Sequence, residues 1–73
     1  MKIQMININD IKNMLKTDSL LDIEETPTSI VANYEQFIYS TTFEQLNKYN
    51  IKYFVAITNV NELRLVIGKN QIS

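Results

Sequence analysis

Four carboxylates stand close together early in the chain: Asp18, Asp22, Glu24 and Glu25. On a helix, Asp18 and Asp22 would share one face at i and i+4, and paired carboxylates of that kind could hold a hard cation. A calcium loop needs more oxygen ligands and usually a glycine turn, and the pattern D-x-[DN]-x-[DN]-G is absent. Glu24 and Glu25 are adjacent, so in a helix or a strand they point in different directions. The segment reads as a solvated acidic stretch rather than a metal centre.

Other chemistry is equally poorly provided for. The chain has no histidine and no cysteine, which removes the commonest general base, the best soft nucleophile and the usual zinc ligands. Its only glycine is Gly68, near the C-terminus. A phosphate-cradling loop needs glycine where backbone N–H groups approach an anion, so no nucleotide fingerprint can be built. Gly68 reads as the end of a strand. No catalysis, cofactor or metal is expected.

What remains is contact chemistry. Tyrosine and arginine combine large contact area with directional polar bonds and are enriched at interface hot spots. Arg64 is the only arginine, and four tyrosines stand at 34, 39, 49 and 53. So small a domain cannot bury all four deeply. The expected partner-binding residues are Tyr39, Tyr49 and Arg64, with the acidic set Asp18, Asp22, Glu24 and Glu25 as a secondary surface.

These side chains must be positioned by one domain spanning residues 1–73. A chain this short buries only about 60% of the surface its unfolded form exposes. Its core rarely supplies more than roughly 3–5 kcal/mol, and small unstapled scaffolds often gain the rest by oligomerising or docking. Self-association or docking on a protein partner is therefore expected.

The N-terminus alternates polar and apolar residues and lacks the unbroken apolar region of a signal peptide. The longest apolar run, Tyr53 to Ile57, is far short of the roughly 20 residues of a membrane span. With no disulfide to suggest secretion, a cytoplasmic location is expected. The net charge is −1, which argues against a dedicated nucleic-acid binder. Residues 1–36 balance to −3 and residues 37–73 to +2, a modest asymmetry. Richness in Ile, Asn and Lys, with six lysines to one arginine, points to an AT-rich gene of the kind found in low-GC bacteria and their phages or plasmids.

The elements follow from periodicity. Residues 2–6 suit a short strand. A helix is expected to start near Asn9, a good N-cap, with Ile8, Ile11 and Leu15 at helical spacing. Residues 17–29 suggest a helical turn followed by an extended stretch, with Pro27 acceptable as a first helical residue. Helical spacing then collects Ile30, Val31, Tyr34, Phe37 and Ile38 on one face. Strand alternation is the competing reading, and the helical one is cleaner. Thr41 with Glu44, or Thr42 with Gln45, fits a capping box opening a helix at about 42–49, which Asn50 can stop.

The C-terminal part is the clearest. Residues 51–58 are rich in β-branched and aromatic types, Asn59-Val60-Asn61 is a plausible turn, and Leu63, Leu65 and Ile67 alternate with polar neighbours. That reads as a β-hairpin ended by Gly68. Its first strand is apolar on both faces and wants cover on both, from helices on one side and from the N-terminal residues, a second copy or a partner on the other.

The expected fold is α+β, with two or three short helices, a C-terminal β-hairpin and a three-stranded sheet if the N-terminus joins it. No motif is specific enough to name a family. The expected function is a non-enzymatic protein-binding module, a small regulator or inhibitor of a larger protein. The alternative is a winged-helix-like DNA-binding regulator, since three helices and a hairpin would stand in that order with Lys52, Arg64 and Lys69 near the hairpin.

Overall fold

The computed structural model describes residues 7–71, so the strand expected at 2–6 lies outside the described residues. The first helix, α1 (Ile8–Leu15), is opened by Asn7. The Asn7 Oδ1 accepts from the Asp10 N–H at 2.8 Å, and the Asp10 carboxylate accepts from the Asn7 N–H at 3.4 Å. The start expected near Asn9 moves upstream because a capping box needs an acceptor three residues on. Asp10 supplies one for Asn7, whereas Lys12, three after Asn9, can only donate. Ile11 and Leu15 fall on one face and are fully buried.

A turn at Thr17 to Ser19 leads into β1 (Leu20–Glu25), which forms a hairpin with β2 (Ser29–Glu35). Thr26 closes the hairpin loop. Its hydroxyl oxygen accepts from the Ser29 N–H at 2.8 Å, and its own N–H donates to the Ser29 carbonyl at 2.8 Å. Pro27 sits in this loop, so the expectation that it opens a helix is corrected. So is the helix over 30–38. Ile30, Ala32 and Tyr34 are each fully buried, while Val31, Asn33 and Glu35 face the other way, which is the two-residue period of a strand.

The chain leaves β2 through a tight turn. Gln36 has φ 70°, and the Phe37 N–H donates to the Glu35 carbonyl at 2.8 Å. The second helix, α2 (Ser40–Lys48), starts after Tyr39, with no side-chain cap bond. Neither expected capping box forms. Thr42 is turned into the core instead, at 1% exposure. Asn50 ends the helical segment with φ 58°, as expected of a residue that tolerates the left-handed region.

The expected C-terminal hairpin is present as β3 (Tyr53–Asn59) and β4 (Glu62–Gly68), followed by one 3-10 turn, Lys69–Gln71. Beyond β3, the Gln71 side chain accepts from the Lys52 N–H at 2.7 Å and donates to the Lys52 carbonyl at 2.6 Å. A side-chain amide thus imitates one more ladder step.

Among the described residues the fold is α+β, with two α-helices and a four-stranded antiparallel sheet in the order β1-β2-β4-β3. Among the described residues the sheet has two strands beyond the expected C-terminal hairpin, because residues 20–35 supply a second hairpin. The chain is two successive αββ units whose second strands, β2 and β4, pair at the centre. Both helices contribute to a single core: Ile11, Leu15 and Leu46 meet Ile30, Ala32, Tyr34, Leu65 and Ile67. No described helix is long and apolar enough to cross a membrane.

Candidate functional site: the open face of the sheet

With both helices on one side, the other face of the sheet is left without a covering element among the described residues. Register lays its side chains out in rows. One row runs Asp22, Asn33, Arg64, Ala56 across β1, β2, β4 and β3. The next runs Glu24, Val31, Val66, Phe54.

The first row is a hydrogen-bonded relay. The Asn33 Nδ2 donates to the Asp22 Oδ1 at 2.8 Å, and the Arg64 Nε donates to the Asn33 Oδ1 at 3.1 Å. An asparagine amide carries one donor and one acceptor end, so it can join a carboxylate to a guanidinium only in this orientation. The relay holds the guanidinium through Nε, and among the described residues its two terminal nitrogens make no hydrogen bond to protein. They form a planar fork suited to a carboxylate or a carbonyl.

The second row is apolar at its centre. Val31 and Val66 are half-buried, and Phe54 stands 61% exposed at the β3 end. A third pair, Glu35 opposite Glu62, closes the face near the β3–β4 turn. At the paired positions of this face, four carboxylates (Asp22, Glu24, Glu35 and Glu62) surround one guanidinium. The face is acidic with an apolar strip.

The expected contact residues divide between the two sides of the molecule. Arg64 lies on the open face together with Asp22 and Glu24, which sequence reasoning had set against it as a rival surface. Tyr39 and Tyr49 sit at the two ends of α2, on the helical side. The Tyr39 ring meets Phe37 edge-on at 4.9 Å, and Tyr49 packs against the core with the Lys48 Nζ 5.7 Å from its ring.

Asp18 is exposed in the turn before β1, so the helical i, i+4 pairing of Asp18 with Asp22 does not arise. Glu25 points to the opposite side from Glu24, where Lys12 and Lys69 bridge it at 2.8 and 2.7 Å. Their ammonium groups lower its pKa to about 2. Glu25 fastens α1 and the end of β4 to the edge strand and takes no part in the open face.

Asn33 is the residue that sequence reasoning missed. Its importance depends on standing between Asp22 and Arg64, which requires the register of three strands. Among the described residues no three His, Cys, Asp or Glu side chains gather as metal ligands. A shallow hollow of about 630 Å³ is lined by Asn47, Asn50, Ile51, Lys52 and Tyr53, which bring one amine and one phenol to it. The fold and this face define a small α+β domain with a helix-covered side and an acidic, partly apolar sheet surface. Comparison with protein-family models, curated proteins and solved structures finds no match.

Proposed function

We propose that this chain is a non-enzymatic protein-binding module, a small regulator or inhibitor of phage or plasmid type that docks on a larger protein through the open face of its sheet. The observation that carries this reading is the Asp22–Asn33–Arg64 relay lying beside the Val31–Val66–Phe54 strip. A guanidinium already held in place loses less freedom on binding than a free one. An adjacent exposed aromatic supplies the contact area that anchors such interfaces. The carboxylates around both favour a partner whose surface is basic with an apolar recess, since opposite potentials steer association.

DNA binding, the alternative, draws no support from the placement of charge. Arg64 stands among carboxylates, Lys69 is engaged by Glu25, and a single short helix precedes the C-terminal hairpin where a winged-helix order would place a pair.

The experiment is affinity capture from the native host with mass spectrometry, repeated with variants. The reading expects one protein to be retained by the wild type and by Tyr39→Ala, and lost with Arg64→Ala and with Glu24→Lys. Retention that survives both open-face changes but fails with Tyr39→Ala and Tyr49→Ala would move the contact to the helical side.

A further inference from the structure

The two edges of the sheet are built differently. The β1 edge carries Asp22, Glu24 and Glu25 and a register shift between Leu20 and Asp22, the charges and irregularities that keep sheet edges from pairing with other chains. The β3 edge carries none of these charges, and its own register shift lies toward the end of the strand, between Ile57 and Asn59, beyond the Val55–Ile57 stretch. From Tyr53 to Asn61 there is no charged residue and no proline. Val55 and Ile57 point to the helical side of the sheet, yet stand 40% and 79% exposed because the helices do not reach over them. Along this strand the outward N–H and C=O groups have no ladder partner among the described residues.

We propose that β3 is a self-pairing edge, on which a second copy of this chain adds its own β3 antiparallel about a two-fold axis through Ala56. The reason for a second copy lies in the pattern around Ala56. A two-fold there sets residue 55 opposite 57 of the other copy and 57 opposite 55, within the regular part of the strand that precedes the register shift after Ile57. Val55 and Ile57 of both copies then meet as one aliphatic cluster on the helical side, covering what the helices leave bare. A two-fold through Val55 would set Ile57 against Tyr53, and one through Ile57 would set Val55 against Asn59; only the axis at Ala56 sets the two aliphatics against each other. A closed isologous contact sets each residue against the same sequence, so a charged strand would meet its own charge. β1 would do so with acid against acid, and β3 has no charge to repeat.

The contact is one strand wide and about 23 Å long at roughly 3.3 Å per residue. It falls below the roughly 800 Å² per partner of a standard interface, so the dimer is reversible. The pairing would continue the open faces of both copies in one eight-stranded sheet. It rests on Val55 and Ile57, which lie on the other side from the relay, and so stands or falls separately from the docking reading.

Two measurements on the full-length protein test it. In sedimentation equilibrium across a concentration series, the wild type should populate dimer and no larger species. Ile57→Lys, at a site exposed enough to keep the fold (checked by circular dichroism), should weaken dimerisation roughly tenfold or more through like charges brought together. Leu21→Lys, on the β1 edge, should leave it unchanged.

The register is read by cysteine, since the chain has none of its own. Ala56→Cys would face its copy at about 4.5–5.5 Å between Cα atoms, within disulfide reach of about 4.4–6.8 Å. Thr58→Cys would lie about 13 Å from its copy along the strand. Mild oxidation should link the first and not the second. A monomer at every concentration, an Ile57→Lys variant that dimerises like the wild type, open-ended assemblies, or equal linking of both cysteine variants would each overturn the proposal.

Discussion

The Tyr34 hydroxyl donates a hydrogen bond to the Leu15 carbonyl at 2.5 Å, joining the centre of the sheet to the last turn of α1. Tyr34 is fully buried, and Leu15 is one of the helix-end residues whose carbonyl has no intrahelical partner. Removing the hydroxyl with Tyr34→Phe leaves that carbonyl dry and unpaired. Urea unfolding should show a loss of about 1–3 kcal/mol. Burial also pushes the Tyr34 phenol up to about 12 from its ordinary value of 10.0. A group whose folded pKa is raised stabilises fully below its unfolded value and loses that contribution as pH rises through the folded one. The wild type should therefore weaken between about pH 10 and 12 by an amount that Tyr34→Phe does not show.

Glu25 has the opposite sign. Its carboxyl is lowered from 4.5 to about 2 by the hydrogen-bonded ammonium groups of Lys12 and Lys69. Its contribution is present above pH 4.5 and lost as pH falls toward 2. Glu25→Gln should flatten that part of the acid limb of stability, measured by thermal melts across pH. Salt should shrink the difference, because the carboxylate is part-exposed and screened.

Glu35 and Glu62 face each other directly across β2 and β4. Like charges in that position are destabilising by roughly 0.2–1 kcal/mol. Glu62→Lys should raise the denaturation midpoint by that order at low ionic strength, with the gain fading in salt. An unchanged or lowered midpoint would mean that this repulsion is already relieved by solvent.

The Thr42 hydroxyl is buried and has no hydrogen-bond partner among the described residues. Thr42→Val keeps the shape and removes the unsatisfied group, so it should stabilise by about 1 kcal/mol or more. Thr42→Ser keeps the hydroxyl, loses a methyl and should destabilise. Parallel calorimetric melts of the two variants separate the polar term from packing.

The parts legible in the sequence are those whose partners are near in the chain. The β3–β4 hairpin announced itself because its strands are joined by a short turn and β4 alternates cleanly. β2 did not, because Val31 on the open face adds an apolar residue to the buried set of Ile30, Ala32 and Tyr34. The following Phe37 and Ile38 then complete a helical spacing by accident. What decides for a strand is pairing with residues 62–68, which no local window contains. In β1 the register shift after Leu20 breaks the two-residue period. The relay was hidden for the same reason: Asn33 is 11 residues from Asp22 and 31 from Arg64. Asn33 looked like an ordinary polar residue, and Asp22 and Arg64 like separate ones, until three strands were aligned.

The central seam also sets the order of events by which the chain reaches its shape. Each αββ unit closes through a short hairpin loop, which costs little chain entropy and forms within microseconds. The β2–β4 seam joins residues 27 positions apart at Glu35 and Glu62 and 39 apart at Ser29 and Gly68. That closure must be made before the shared core rewards it, so it is the slow step. Truncations across the seam, such as Leu65→Ala, should slow refolding in stopped-flow measurements. Changes in the β1–β2 loop, such as Pro27→Ala, should act mainly on unfolding. Until the seam closes, each half holds only one side of a core, and the uncharged strand at its rim is open to whichever chain arrives first.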